Sequence, residues 1–117
     1  MNIEDFRNYC ISKKGVTEGF PFDNKTLVFK VMNKMFALTS IENFISINLK
    51  CDPEKAVLLR EEHPEIKPGY HMSKVHWNTV SISGDLNPTF MLELINHSYE
   101  LVVNKLSKKD QALLKSM

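Results

Sequence analysis

The sequence predicts an α+β fold of two layers, an antiparallel sheet with N- and C-terminal helices packed on one face. Three observations lead there. Apolar residues recur at helical spacing at both ends: Ile3, Phe6, Tyr9 and Cys10 at the start, and Met91, Leu94, Ile95, Leu101, Val102 and Leu106 near the finish. Between them, Leu27, Phe29 and Val31, then Ile45, Ile47 and Leu49, recur at every second position, the period of a strand with one buried face. Asp52-Pro53-Glu54 breaks the strand pattern with a helix start: a capping carboxylate, a proline in the first turn and an acid beside it.

Taken in order, Asn2 is an N-cap and Asp5 an acid suited to the helix dipole, so a helix is expected from Asn2 to Lys14, stopped by Gly15. Leu27 to Val31 forms a strand, Met32-Asn33-Lys34 a tight turn with Asn33-Lys34 at its tip, and Met35 to Thr39 returns. Ile41-Glu42-Asn43 turns again, and Ile45 to Leu49 completes a three-stranded meander with one wet face. The helix begun at Asp52 runs through Ala56, Val57, Leu59 and Arg60 to about Glu62, and Pro64 ends it. Ile66 to Met72 contains Pro68-Gly69, which excludes a regular central strand. Val75 to Ser83 alternates, with Val80 and Ile82 on one face and Trp77, Thr79 and Ser81 on the other. Asn87-Pro88 opens the last long helix, Pro88 to Leu106, and Ser107 with Asp110 caps a short final one carrying Leu113 and Leu114.

Composition narrows the function classes. The 117 residues suit a single domain, 1–117, with one core. Fifteen basic and fourteen acidic residues leave a formal charge of +1, so no global field draws the chain to nucleic acid or membrane, and any such contact needs local clustering. No apolar run approaches the roughly 20 residues that cross a bilayer. Cys10 and Cys51 lie far apart with no signal peptide before them, which points to a reducing cytoplasm rather than a disulfide framework.

The densest chemistry lies in Lys67 to Val80, where Tyr70, His71, Lys74, His76 and Asn78 accompany Trp77, the one tryptophan of the chain. Phe20-Pro21-Phe22, the run Lys30 to Leu38, Ile47-Asn48-Leu49-Lys50-Cys51-Asp52-Pro53, Pro68-Gly69-Tyr70-His71-Met72-Ser73-Lys74, His76-Trp77-Asn78-Thr79-Val80 and Ser98-Tyr99-Glu100-Leu101-Val102 together resemble the MmcQ/YjbR family in order and spacing. The resemblance covers almost the whole chain. It implies a CyaY-like (frataxin-type) sandwich and a small bacterial DNA-binding protein with a double-wing arrangement of hairpins, without a known enzymatic activity. One departure is Asn33, where members often carry glycine.

Read for chemistry, Lys30, Lys34, Lys50, Lys67 and Lys74 fall in the sheet region, while Asp52, Glu54, Glu61 and Glu62 belong to the short helix. If sheet and helix point different ways, the strands present a basic face, with His76, Trp77 and Asn78 placed to stack on or read bases. The bland readings stand beside this: strand lysines guard against edge pairing, and a lone tryptophan is often a packing anchor. His71 and His76, five apart on one strand, would face opposite ways, so no metal is expected. Glu4 and Asp5, countered by Arg7, Lys13 and Lys14, do not make the acidic ridge with which frataxins hold iron. Cys51 precedes a helix start that favours a thiolate, but Asp52 opposes it, and no nucleophile–base set assembles. The expectation is a non-enzymatic monomeric binding protein without cofactor, metal or membrane partner, with DNA the leading partner. The alternative is a protein- or small-ligand-binding domain using Tyr70 to Trp77 as a pocket.

Overall fold

The computed structural model describes residues 1–117. Asn2 caps α1 (Ile3–Ile11), its Oδ1 accepting from the Asp5 N–H at 2.8 Å. The helix ends short of the expected Lys14. Ser12 closes it, and the chain turns through Lys13 and Lys14 to Gly15, whose φ of +74° favours glycine and whose missing Cβ leaves room for the Leu114 side chain. There follows β1 (Val16–Gly19), a strand that the apolar periodicity does not predict. It is an edge strand with no fully buried side chain, defined by its pairing with β2 (Thr26–Val31) rather than by an apolar pattern.

The hairpin from β2 to β3 (Lys34–Ser40) turns at Met32-Asn33, one position earlier than expected. Both residues have positive φ, +48° and +68°, as a two-residue I′ turn requires, and asparagine tolerates this without glycine. Next come β4 (Ser46–Lys50), α2 (Pro53–Glu62), β5 (Ile66–Pro68), β6 (Trp77–Ser81), α3 (Pro88–Asn104) and α4 (Lys108–Lys115). The helices after α1 begin at the expected caps, Asp52, Asn87 and Ser107. The strands form one antiparallel sheet in the order β1-β2-β3-β4-β6-β5. Three-residue β5 sits at an edge, where Pro68 costs no ladder hydrogen bond.

All the helices feed one core. Phe6 and Cys10 of α1, Ala56 and Leu59 of α2, Met91, Leu94, Ile95 and Val102 of α3, and Leu114 of α4 meet Leu27, Phe29, Val31, Ala37, Ile47, Leu49 and Val80 of the sheet. Phe6 packs edge-on to Phe29 with ring centroids 5.5 Å apart. Two sequence assignments shift. Ile45 lies outside β4 and is 62% exposed, and Leu101 is half-buried while Ser98 takes the place on the core stripe of α3. Ser98 answers a local need. The β2–β3 register slips between Phe29 and Lys30, leaving Phe36 as the extra residue of β3. The buried Ser98 hydroxyl donates to the Phe36 carbonyl and accepts from the Lys50 N–H at 2.9 Å, bridging β3 and β4 where their ladder ends.

α3 also ties down the start of α2. His97 Nε2 accepts from the Asp52 N–H at 3.2 Å, so that nitrogen carries no proton. Burial, then Lys55, lowers the imidazole pKa from its usual 6.5, against the opposite pull of Asp52 and Glu100. A histidine whose folded pKa lies below its unfolded one stabilises the fold above the unfolded value, and that stability drains as pH falls through the folded value. Urea unfolding from about pH 7.5 down to about pH 5 is therefore expected to show a smaller loss of stability for His97→Gln than for the wild type. Parallel profiles would contradict the assignment.

Candidate functional site

Antiparallel pairing directly opposite Lys50 places Trp77 on the same sheet face as that lysine, the face away from the helices. Lys30, paired with Met35, shares it. The centre of this face is a small apolar cluster, Val28, Leu38 and Trp77, packed against Met35 and Met72. Trp77 is only 7% exposed. It is a packing anchor and a wall of the site, not a free platform for a base. The expected alternation holds: Val80 is in the main core and Trp77 on the other face.

Asn78 is displaced from its expected role. It is 3% exposed on the helix side of β6, where its Oδ1 accepts from Arg60 Nε at 2.7 Å. Arg60 of α2 also donates to the carbonyls of Lys74 and Trp77, so one guanidinium straps the 69–76 loop to the sheet. A buried, engaged amide reads no base. The loop itself corrects two more expectations. β6 begins at Trp77 rather than Val75, so His71 and His76 do not lie on one continuous strand. His71 is in a turn at φ +58°, its ring centroid 4.0 Å from that of Tyr70. His76 is half-buried, its carbonyl accepting from the Cys51 N–H at 2.8 Å. Tyr70 and Val75, 69% and 59% exposed, project into solvent rather than closing a pocket. No three or more histidine, cysteine, aspartate or glutamate side chains come together as a metal site would need. Both cysteines are buried free thiols, and burial pushes Cys10 up to about 12 and raises Cys51.

The lysines separate into two sets. Lys30, Lys34 and Lys50 line one groove of about 640 Å³, together with Lys105 at the C-terminal end of α3. Trp77, Met35, Phe22, Val102 and Leu106 supply its apolar surface, and no acid lines it. The chain's ion pairs are elsewhere: Arg7 with Glu18, Lys25 with Glu42, and His63 with Glu62. The groove ammoniums therefore repel one another without a counter-charge. Burial, then Lys105 and Lys34, lowers the pKa of Lys50. Lys67 lies in a separate groove beside Glu65, and Lys74 Nζ donates to the Gly69 carbonyl at 3.3 Å. Lys105 is not apparent from the sequence because it caps the end of α3, with α2, β5 and β6 between it and β4, the nearest strand that lines the groove.

The family model described as YjbR matches residues 11–101. The chain is 35% identical to the YjbR protein of Escherichia coli (strain K12) over 115 residues, covering 97% of this chain and 98% of that one. It is 43% identical to the YbdF protein of Escherichia coli O157:H7 over 93 residues, 79% and 76% of the two chains. Among solved structures, protein DR2400 of Deinococcus radiodurans superposes with a TM-score of 0.91 at 40% identity, covering 97% of this chain and 88% of that one. The chain belongs to the YjbR family.

Removing either partner of the Arg60–Asn78 hydrogen bond leaves the other's polar group, the amide oxygen or the guanidinium Nε, without its partner, which costs about 1–3 kcal/mol. Asn78→Ala and Arg60→Leu are each expected to lose stability in that range, and any effect of Asn78→Ala on nucleic-acid binding should be the same for every sequence. A change confined to one DNA sequence would restore a reading role for Asn78.

Proposed function

We propose that this YjbR-family chain binds nucleic acid through its phosphates, in the lysine groove at the end of the open sheet face, and performs no chemistry on it. The observation that carries this reading is a set of four lysines around an apolar trough with no acid among the lining residues. A half-buried ammonium placed beside two others is held at an electrostatic cost, which an incoming phosphate removes. Asn78 is buried, so the binding is of the backbone and insensitive to sequence. The groove volume, about 640 Å³, is also that of a small-molecule site, which makes a small anionic ligand the second reading.

Fluorescence anisotropy against salt separates the two. Four phosphate contacts imply a slope of log K against log salt near −3.6 on duplex DNA, or near −2.8 on a single strand. Lys34→Gln with Lys50→Gln should weaken binding and flatten the duplex slope by up to about 1.8. Lys67→Gln, in the other groove, should leave the slope unchanged. No binding at low salt, or binding indifferent to the lysine pair, would remove the nucleic-acid reading in favour of the small ligand.

The same repulsion makes a prediction about stability. Lys50→Met keeps the backbone hydrogen bond to Ser98 while removing the charge that burial and two neighbours oppose. It is expected to raise stability by no more than about 1 kcal/mol, since water screens a partly exposed ammonium, while weakening phosphate binding. A destabilised Lys50→Met protein would show that the lysine stem, not its charge, dominates there.

A further inference from the structure

The Phe20-Pro21-Phe22 segment remains unexplained by packing. Both rings are exposed, 47% and 64%, although phenyl surface in water is unfavourable and the core is a few residues away. Asp23, directly after them, accepts from the backbone N–H groups of Lys25 at 2.9 Å and Thr26 at 2.7 Å, a local clamp that fixes the chain's entry into β2.

Phe22 lines the lysine groove. Phe20 lines a second groove of about 320 Å³ over β1 and β2, and the two grooves share Lys30 and Asn33. The face thus carries two adjoining grooves that meet at Lys30 and Asn33, with an exposed aromatic ring in each. The acids nearest the rings are already engaged: Glu18 accepts from Arg7 Nε at 2.8 Å, and Asp23 from its own backbone turn. Free rings and spaced cations, with the Glu18 carboxylate of the second groove paired to Arg7, form a surface on which successive bases stack while the backbone follows the lysines. A small anion would occupy one groove and leave the other unused. In a duplex the base faces are stacked on one another and out of reach of a phenyl ring.

We infer that the nucleic acid taken by these adjoining grooves is single-stranded, its bases stacked on Phe20 and Phe22 and its phosphates on Lys30, Lys34, Lys50 and Lys105; this rests on the nucleic-acid reading above. The phenyl rings supply affinity without sequence preference, because every base has a stacking face.

Anisotropy titrations with labelled oligo(dT) and oligo(U) of about 12 nucleotides, and with a duplex of the same length, test it. The wild type should bind both single strands more tightly than the duplex; a preference between them names the sugar and supports the inference either way. Each stacking ring is worth about 5- to 150-fold, so Phe20→Ala with Phe22→Ala should cost oligo(dT) about 25-fold or more and change the duplex little. That variant should keep the wild-type unfolding midpoint, since both rings are exposed. Phe22→Trp should retain affinity, and its indole fluorescence should be quenched by oligo(dT). Equal losses on single strand and duplex, no loss on oligo(dT), an unfolded double variant or an unquenched Trp at position 22 would overturn the inference. Duplex binding that depends on the lysines but not the rings would leave the nucleic-acid reading standing and remove this one. Failure of all three probes to bind would remove both.

Discussion

A sheet whose helices all pack on one side must close its other side with its own side chains, and most of this structure follows from that constraint. α1, α2, α3 and α4 all deliver residues to the same core. The opposite face has no layer over it, so Val28, Leu38 and Trp77 are shielded only by Met35, Met72 and the loop before β6. That loop closes because Gly69 lets it: a Cβ there would stand 2.8 Å from the Trp77 Cβ. Arg60 then straps the loop down from α2. The tryptophan is thereby spent on packing, and the cations around it are left facing water.

The link from core to surface is the Ser98 hydroxyl. A bulge at Phe36 re-aims the end of β3, and the unpaired carbonyl it creates would be costly in a buried setting. Ser98 satisfies that carbonyl and, in the same stroke, holds the Lys50 N–H of the neighbouring strand. Lys50 is thus fixed at the backbone from the core while its ammonium stands beside Lys34 and Lys105. A polar residue on an otherwise apolar helix stripe is therefore part of how the groove is built.

Much of this was legible in the residues. The helix starts were plain because Asn2, Asp52, Asn87 and Ser107 are local signals whose partners lie two or three positions away. The face assignment of Trp77 and Val80 needed only the two-residue period of a strand. β1 was hidden because an edge strand with one apolar residue has no periodicity to read. Asn78 was misplaced for a related reason: alternation puts it on the core side with Val80, but its polarity suggested the wet face, and the resolving partner, Arg60, is eighteen residues away. Lys105 and the two phenylalanines were missed as site residues because their relation to the strand lysines exists only in the folded sheet.

The near-zero net charge, finally, argues less against an anion site than it first suggests. Screening confines exposed charges to interactions within about 8–10 Å at physiological salt, so what an incoming phosphate meets is the local sum and not the total. Here the acids are removed from the groove by the fold. Glu18 is paired with Arg7 and Glu42 with Lys25, while Asp52 and Glu54 are committed to the cap and first turn of α2. What remains at the end of the sheet is Lys30, Lys34, Lys50 and Lys105 around an apolar wall. A chain can be electrically balanced overall and still present a surface that only an anion relieves.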